Sequence, residues 1–366
     1  MYRATDTLTI GTAGTAGRLK VDGKLILSAG LVFVNAATQF VEGNGTVEFA
    51  GSTPQTIPVP PDGAGGSRRY HHLVVSNTSA AGATPAGSIT LKGNLSISAG
   101  GKLAGSNVTI TLDGTGASGD WTNDGTFAAG SSTVVFSGNP STVRGSGITT
   151  FANLTVSTTD SLAVSTATTP VHSLRVSSVW TMNGSFTPGS STVFFSGGAS
   201  QIAGVAQTTF NHLTIDAGAT LSIGAIQVVN LNGIWSTDGT FTAGTSIVRF
   251  TAVGGGIAGA NPSVFNVVQV QSAGTLTLDV VDDVTVTGAN LPAAPDDVGL
   301  LVRAGGTLSL GASATLRLGQ GLSIGRSATQ GGTFLSAGAA PKIIDTGSRF
   351  AFDVFGGTVD IDRLIF

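Results

Sequence analysis

Over most of the chain, apolar and polar residues alternate in runs of four to seven, each closed by Gly, Asn, Asp or Ser. A period of two in residues rich in Val, Ile, Thr and Phe is the pattern of a half-buried strand. In TVVF at 133–136, Val134 and Phe136 share one face and Thr133 and Val135 the other. The same pair recurs as Val47/Phe49, Val193/Phe195 and Val248/Phe250, which marks these as inward positions. The opposite face carries Glu48 in one copy and Arg249 in another, so that face is expected to meet water. No 3.6-residue pattern persists beyond one turn. The prediction is an all-β protein.

The strands are written into a longer repeat. Trp121, Trp180 and Trp235 open the phrases WTNDGTFAAG, WTMNGSFTPG and WSTDGTFTAG, spaced 59 and 55 residues apart. Behind each Trp come Phe127, Phe186 or Phe241, then Phe136, Phe195 or Phe250, then Phe151, Phe210 or Phe265, at constant offsets. Gly145, Gly204 and Gly259 also share one offset. A degenerate copy precedes them: GTVEFAG at 45–51 and RYHHLVV at 69–75 match STVVFSG and TFANLTV, with PVPPDGAGGSRR inserted between as a loop. After about residue 270 the phrase dissolves into GTLTLDV, VTVTG, GTLSLG and ATLRLGQGLSIG.

A strand written repeatedly stacks best on copies of itself, so the expected fold is a parallel β-solenoid (β-helix) with Asx-Gly pairs at the corners. The repeat of about 55–59 residues is expected to hold two turns of ~28 or three of ~19 residues. Each aromatic is expected to lie over its own counterpart in a continuous spine. Phe151 and Phe210 are out of phase with Leu154/Val156 and Leu213/Ile215, so either the chain bends between them or those rings face outward. The organisation reads as N-terminal solenoid turns at 1–40 and a degenerate repeat with its loop insertion at 41–120. Repeats follow at 121–179 and 180–234, then a divergent repeat at 235–288 and C-terminal turns at 289–366.

On the phrases GTVVFSG…TFANLTV and their Gly-closed turns, clearest over residues 40–270, the chain resembles bacterial extracellular β-strand-repeat surface proteins. Haemagglutinin-like and autotransporter-passenger β-helices are broader relatives in style. The resemblance implies a β-solenoid outside the cell with a structural or adhesive role, and no particular activity.

Composition narrows the chemistry. Charged residues make up 10% of 366, with 17 Lys+Arg against 20 Asp+Glu, a balance that excludes a basic nucleic-acid footprint. Cysteine is absent, which excludes disulfides, thiolate metal sites and cysteine nucleophiles. No run reaches the ~18 apolar residues of a membrane helix, and residues 1–30 lack a secretory-signal pattern. The Gly/Ser/Thr-rich, charge-poor composition nonetheless points to the cell exterior, so a leader is expected to have been removed or the chain to be part of something longer.

Candidate chemistry is thin. Arg68, Arg69, Tyr70, His71 and His72 form the one basic–aromatic cluster, beside the loop, and are the candidate contact for a glycan or partner subunit. Its bland reading is a loop returning to the stack, with Tyr70 in the aromatic repeat slot. His72, Asn153 and His212 occupy one repeat position, expected to face outward, and Val267 replaces them in the fourth copy. Asp279, Asp282 and Asp283, with Asp296 and Asp297 downstream, are the densest acidic group. Paired carboxylates suit glycoside cleavage or calcium, but a solvated edge, with a corner at Asp282-Asp283, is the leading reading. No catalytic residue, cofactor or metal is expected.

The expected function is an extracellular structural protein, a subunit of a fibre or surface layer that self-associates end to end through β-contacts, because neither end shows a cap. The alternatives are an adhesin stalk segment binding glycan or a cell surface, and a β-helix carbohydrate-active enzyme.

Overall fold

The computed structural model describes residues 1–63, 68–116, 118–167, 172–224, 228–271, 274–278, 282–289, 291, 298–325, 331–336, 342–345, 352–354, 356 and 358–361. The described residues form strands and turns with no helix, and the strands stack as a parallel β-solenoid. The construction is visible in two successive turns. Leu95–Ile97, Lys102–Ala104 and Thr109–Leu112 make one turn. Trp121–Asn123, Thr126–Ala128 and Thr133–Phe136 make the next. Each strand pairs in parallel with its counterpart: Leu95 with Trp121, Leu103 with Phe127, Ile110 with Val134. Three strands therefore complete a turn, and these strands pair their backbones with the turn above or below.

The chain divides into two compact units, Met1–Val176 with Thr181–Gly189, and Ser177–Trp180 with Ser190–Phe366. In the first, one sheet of nine strands runs from Tyr2–Ala4 to Ser185–Thr187. In the second, a seven-stranded sheet runs from Thr208–Phe210 to Phe352–Val354, and a four-stranded one from Ser263–Phe265 to Lys342–Asp345.

The inward pairs are placed as the alternation predicts. Val47, Phe49, Val134, Phe136, Val193, Phe195, Val248 and Phe250 are all buried. Each such side chain contributes about 1.5–3 kcal/mol relative to an exposed one. The outward face is mostly wet, and its few charges pair. Half-buried Glu48 meets Lys24 at 2.6 Å and Ser76 at 2.5 Å. Burial raises its pKa, but Lys24 and Ser76 outweigh burial and hold it below the ordinary value.

Turn length differs from both expected divisions. Pairing advances by 20 residues at Val134↔Leu154 and by 26 at Leu95↔Trp121, and it lengthens to 32 at Val268↔Leu300. Among the described strands, that of Trp180 is the eighth after that of Trp121, and that of Trp235 the eighth after that of Trp180. Eight is not a multiple of three, so successive copies cannot present the same residue on the same face.

The expected aromatic spine is accordingly wrong. Trp121 lies between Leu95 and Val143, and Trp235 between Leu213 and Ile257. Trp180 and Trp235 belong to different sheets. The repeat instead encodes a cluster across the interior. Trp121 meets Phe127 at 4.8 Å and Phe151 at 5.3 Å. Trp235 meets Phe241 at 4.6 Å and Phe265 at 5.2 Å. These edge-on packings are favourable for aromatic quadrupoles.

The phase conflict at Phe151 and Phe210 resolves as a bend. Both rings are fully buried, and Ala152 and Asn211 turn the chain before the next strand begins. The Pro/Gly-rich insertion follows directly on a rung: Gln55–Ile57 is a strand paired with Ala83–Pro85, and within the insertion Asp62 bridges to Gln39.

Candidate functional site

The corner at 68–72 gathers its five candidates, and each has a structural tie. Strand Arg69–Tyr70 ends at a bend on His71, and His72–Val75 follows. Tyr70 points inward, fully buried, with its ring 5.3 Å from that of Phe40. Its hydroxyl donates to the Pro58 carbonyl at 2.6 Å, and burial pushes the phenol pKa up. Arg68 pairs with Asp62 at 2.5 Å, which lowers the carboxyl pKa and raises that of the guanidinium. Arg69 joins Glu42 and reaches Asp113 at 3.5 Å, and His71 Nδ1 lies 3.5 Å from Glu42. The cluster thus clasps the insertion to neighbouring turns. Its carboxylate partners, Glu42, Asp62 and Asp113, carry no local sequence signal, because adjacency in a solenoid is set by turn length.

His72 and His212 share a second device. His72 Nδ1 accepts the backbone N–H of Asn94 at 2.9 Å, and His212 Nδ1 accepts that of Ile234 at 3.0 Å, each 22 residues on. An accepting Nδ1 fixes the neutral tautomer with its proton on Nε2. Burial lowers both pKa values, and His71 adds to the effect at His72. Each ring covers a glycine: a Cβ on Gly93 would stand 2.5 Å from His72 Nδ1, and one on Gly233 2.6 Å from His212 Cε1. Asn153, at the same repeat position, works downward instead, donating from Nδ2 to the Ser131 and Ser132 carbonyls at 3.3 Å. In the fourth copy Asn266, the residue before Val267, donates to the Ser246 carbonyl at 3.2 Å.

Polar side chains also enter the interior. Asn123 Nδ2 donates to Thr149 Oγ1 at 3.2 Å, and Thr149 lies 3.0 Å from His172 Nε2. His172 Nδ1 stands 3.2 Å from the Gly145 carbonyl, which only a protonated Nδ1 can bond. Thr149 therefore donates to Nε2. Burial lowers the His172 pKa against opposing effects of Gly145 and Asp124. In the third copy Trp235 Nε1 donates to Thr237 Oγ1 at 2.7 Å, and Thr237 meets Ser263 at 3.0 Å. The middle copy puts Met182 where Asn123 and Thr237 stand, and Thr208 Oγ1 finds no hydrogen-bond partner among the described residues.

Of the acidic group, Asp279, Asp296 and Asp297 lie outside the described residues. Asp283 opens strand Asp283–Val286 and holds Arg317 of the next turn through two bonds, at 3.0 and 3.1 Å. Asp282 is buried, and its carbonyl accepts the Thr315 N–H at 2.9 Å. Both border a hollow of about 70 Å³ with Asn261 and Ser263. Among the described residues no three His, Cys, Asp or Glu side chains gather as metal ligands would.

A larger hollow, about 510 Å³, lies on the second unit and is lined by Thr209, Asn230, Asn232, Arg249, Thr251 and Gln271. Register sets it. Thr209 pairs with Asn230 and Asn230 with Arg249, so half-buried outward side chains form a row along the stack that ends at Gln269, which pairs with Arg249 and is fully buried. Asn232, Thr251 and Gln271 repeat the arrangement two residues further along each chain.

No helix among the described residues is long and apolar enough to cross a membrane. No family model, curated protein or solved structure matches the chain.

Proposed function

We propose that the chain is structural: an extracellular solenoid segment of a fibre or surface layer, joined to neighbouring turns by the edge pairing that builds its own interior. One observation carries this reading. Strand after strand pairs in parallel with the strand one turn away, so each turn is a template for the next. The composition supports it, since a charge-poor Ser/Thr surface suits packing against like surfaces. Asp283, His72 and His212 are tied into the scaffold, which favours a non-enzymatic role.

Electron microscopy over a concentration series tests the reading. Filaments or ordered layers that lengthen with concentration are expected. Arg3→Pro removes a backbone donor in strand Tyr2–Ala4 and is expected to shorten them without disturbing the turns beyond. A chain that stays monodisperse in sedimentation at every concentration overturns the reading.

A further inference from the structure

We infer that Asn44-Gly45 is a site of self-modification: the Gly45 nitrogen attacks the Asn44 side chain, a cyclic imide forms, and the amide ends as a carboxyl while the strand that follows loosens from the turn below. The reaction needs an Asn followed by a residue with no side chain to hinder attack. It also needs a backbone free to bring that nitrogen onto Cγ. Asn-Gly occurs at 44–45, 183–184 and 232–233. The three are chemically alike in an unfolded chain, so the fold decides among them.

Two of the three are pinned. Asn183 is half-buried, and its N–H and that of Gly184 both donate to the Val156 carbonyl, at 2.9 and 3.3 Å. Asn232 is half-buried as well. Its N–H donates to the Phe210 carbonyl at 3.0 Å, and its Oδ1 accepts from Thr251 at 2.8 Å. Asn44 is exposed, at the crest of the arch Gly43-Asn44-Gly45. Among the described residues neither its N–H nor its side chain makes a hydrogen bond. The chain is held again from Gly45 onward, whose N–H donates to the Val21 carbonyl at 2.9 Å, and a local opening of that bond frees the nucleophile.

The step balances with water as its co-reactant. Once the Gly45 N–H leaves Val21 and gives its proton to hydroxide, the nitrogen bonds to Asn44 Cγ. The Cγ–Nδ2 bond breaks, and Nδ2 departs as ammonia with a proton returned from water. Water then adds to one of the two imide carbonyls and opens the ring. One opening gives aspartate. The other gives isoaspartate, in which the main chain runs through Cβ. Nothing is oxidised or reduced.

The position gives the change its effect. Strand Thr46–Phe49 begins just beyond, with the Thr46 N–H on the Gly23 carbonyl at 2.8 Å and Thr46 paired with Lys24. Isoaspartate lengthens the main chain by one atom immediately before these bonds. Gly45 has no slack to absorb it, since a Cβ there would meet the carbonyls of Gly23 and Val21. Both products also bring a negative charge to an arch whose Gly43 lies against the Asp22 carboxylate of the turn below, and like charges repel.

The test ages the full chain at pH 8 and reads it by peptide mapping in a mass spectrometer. Hydroxylamine, which cleaves the imide, marks where the ring forms. Conversion at 44 is expected to run about tenfold ahead of that at 183 or 232 in the folded chain, the benefit of an unpinned backbone. In urea the three sites are expected to convert at similar rates, which shows that the native order comes from the fold. At pH 5 conversion is expected to slow, because the attacking nitrogen must lose its proton. Hydrogen exchange in the aged protein is expected to quicken at 21–27 and 45–49. Asn44→Gln, a change at an exposed position, is expected to remove both the hydroxylamine cut after residue 44 and the quickened exchange. No conversion at 44, a lead by 183 or 232, or the same order in urea overturns the site. Conversion at 44 with unchanged exchange overturns the loosening.

Discussion

His212 Nδ1 receives the backbone N–H of Ile234, the residue that opens the strand of Trp235 one turn later. His72 does the same for Asn94. Both rings must be neutral to accept, and burial lowers both pKa values from the ordinary 6.5, as it does at His172. The unfolded chain then binds protons more readily than the native state as pH falls below 6.5. The stability from these histidines is complete above that value and is lost progressively on acidification toward the native pKa values. Thermal melts from pH 8 to pH 5 are expected to show a falling midpoint. His72→Gln with His212→Gln is expected to flatten that fall, leaving the share due to His172. An unchanged slope in the double variant removes the assignment.

The glycines beneath these rings give a second test. Alanine at Gly93 or Gly233 would press its methyl onto the imidazole and onto the backbone carbonyl of His71 or Asn211, and overpacking of this kind costs about 1–3 kcal/mol. Urea titration is expected to show that loss for each. Because ring and methyl compete for one space, Gly93→Ala with His72→Ala is expected to cost less than the sum of the single changes. Strict additivity would falsify the steric account.

The interior threonines separate a satisfied hydroxyl from an orphaned one. Thr149→Val strands Asn123 Nδ2 and His172 Nε2, and Thr237→Val strands Trp235 Nε1, so each is expected to cost about 1–3 kcal/mol. Thr208 occupies the same repeat position without a partner, opposite Met182 in the pattern. Thr208→Val is therefore expected to be neutral within about 0.5 kcal/mol, or stabilising. Thr149 and Thr208 share one repeat position and Thr237 stands at that of Asn123; the three variants, compared by denaturant midpoint, decide the point.

Strand identity and inward faces were legible because alternation is local: Val134 and Phe136 announce their side within four residues. The solenoid was legible because near-identical strands have few other ways to be buried. The stacking order was not. The spine predicted for Trp121, Trp180 and Trp235 assumes that the sequence repeat is a whole number of turns, and eight strands on a three-sided stack break that assumption. The partners of the 68–72 cluster were hidden for the same reason. Arg69 reaches Glu42 and Asp113, separated from it by 27 and 44 residues, and only the turn lengths between them set those distances. His172 gave no sequence signal because its partners, Thr149 and Gly145, lie one turn earlier. The polar hollow was equally hidden, since its residues are single positions spread over four successive turns.

The strand that leads into the insertion rests on a buried amide pair, which yields the last test. Gln55 Oε1 accepts from the Gly51 N–H and from Asn77 Nδ2, both at 2.8 Å. Its Nε2 donates to the Leu27 carbonyl at 3.0 Å and to that of Ala29. Asn77 also donates to the Thr53 carbonyl at 2.8 Å and accepts from the Ser79 N–H at 2.9 Å. The two amides tie the turn of Leu27 to the turn of Asn77 through the strand of Gln55. Gln55→Leu keeps the volume but takes the acceptor from the Gly51 N–H and from one N–H of Asn77, at about 1–3 kcal/mol for each buried orphan. Gln55→Glu keeps the acceptors, loses the Nε2 donor and places a carboxylate in a buried position, so it is expected to be at least as harmful. The loss is expected to be local. Hydrogen exchange in both variants should quicken at Leu27–Gly51 and Asn77–Gly82 while the strands around Val134 keep their protection. Uniform acceleration across the first unit would show instead that the amide pair acts on global stability rather than as a clasp.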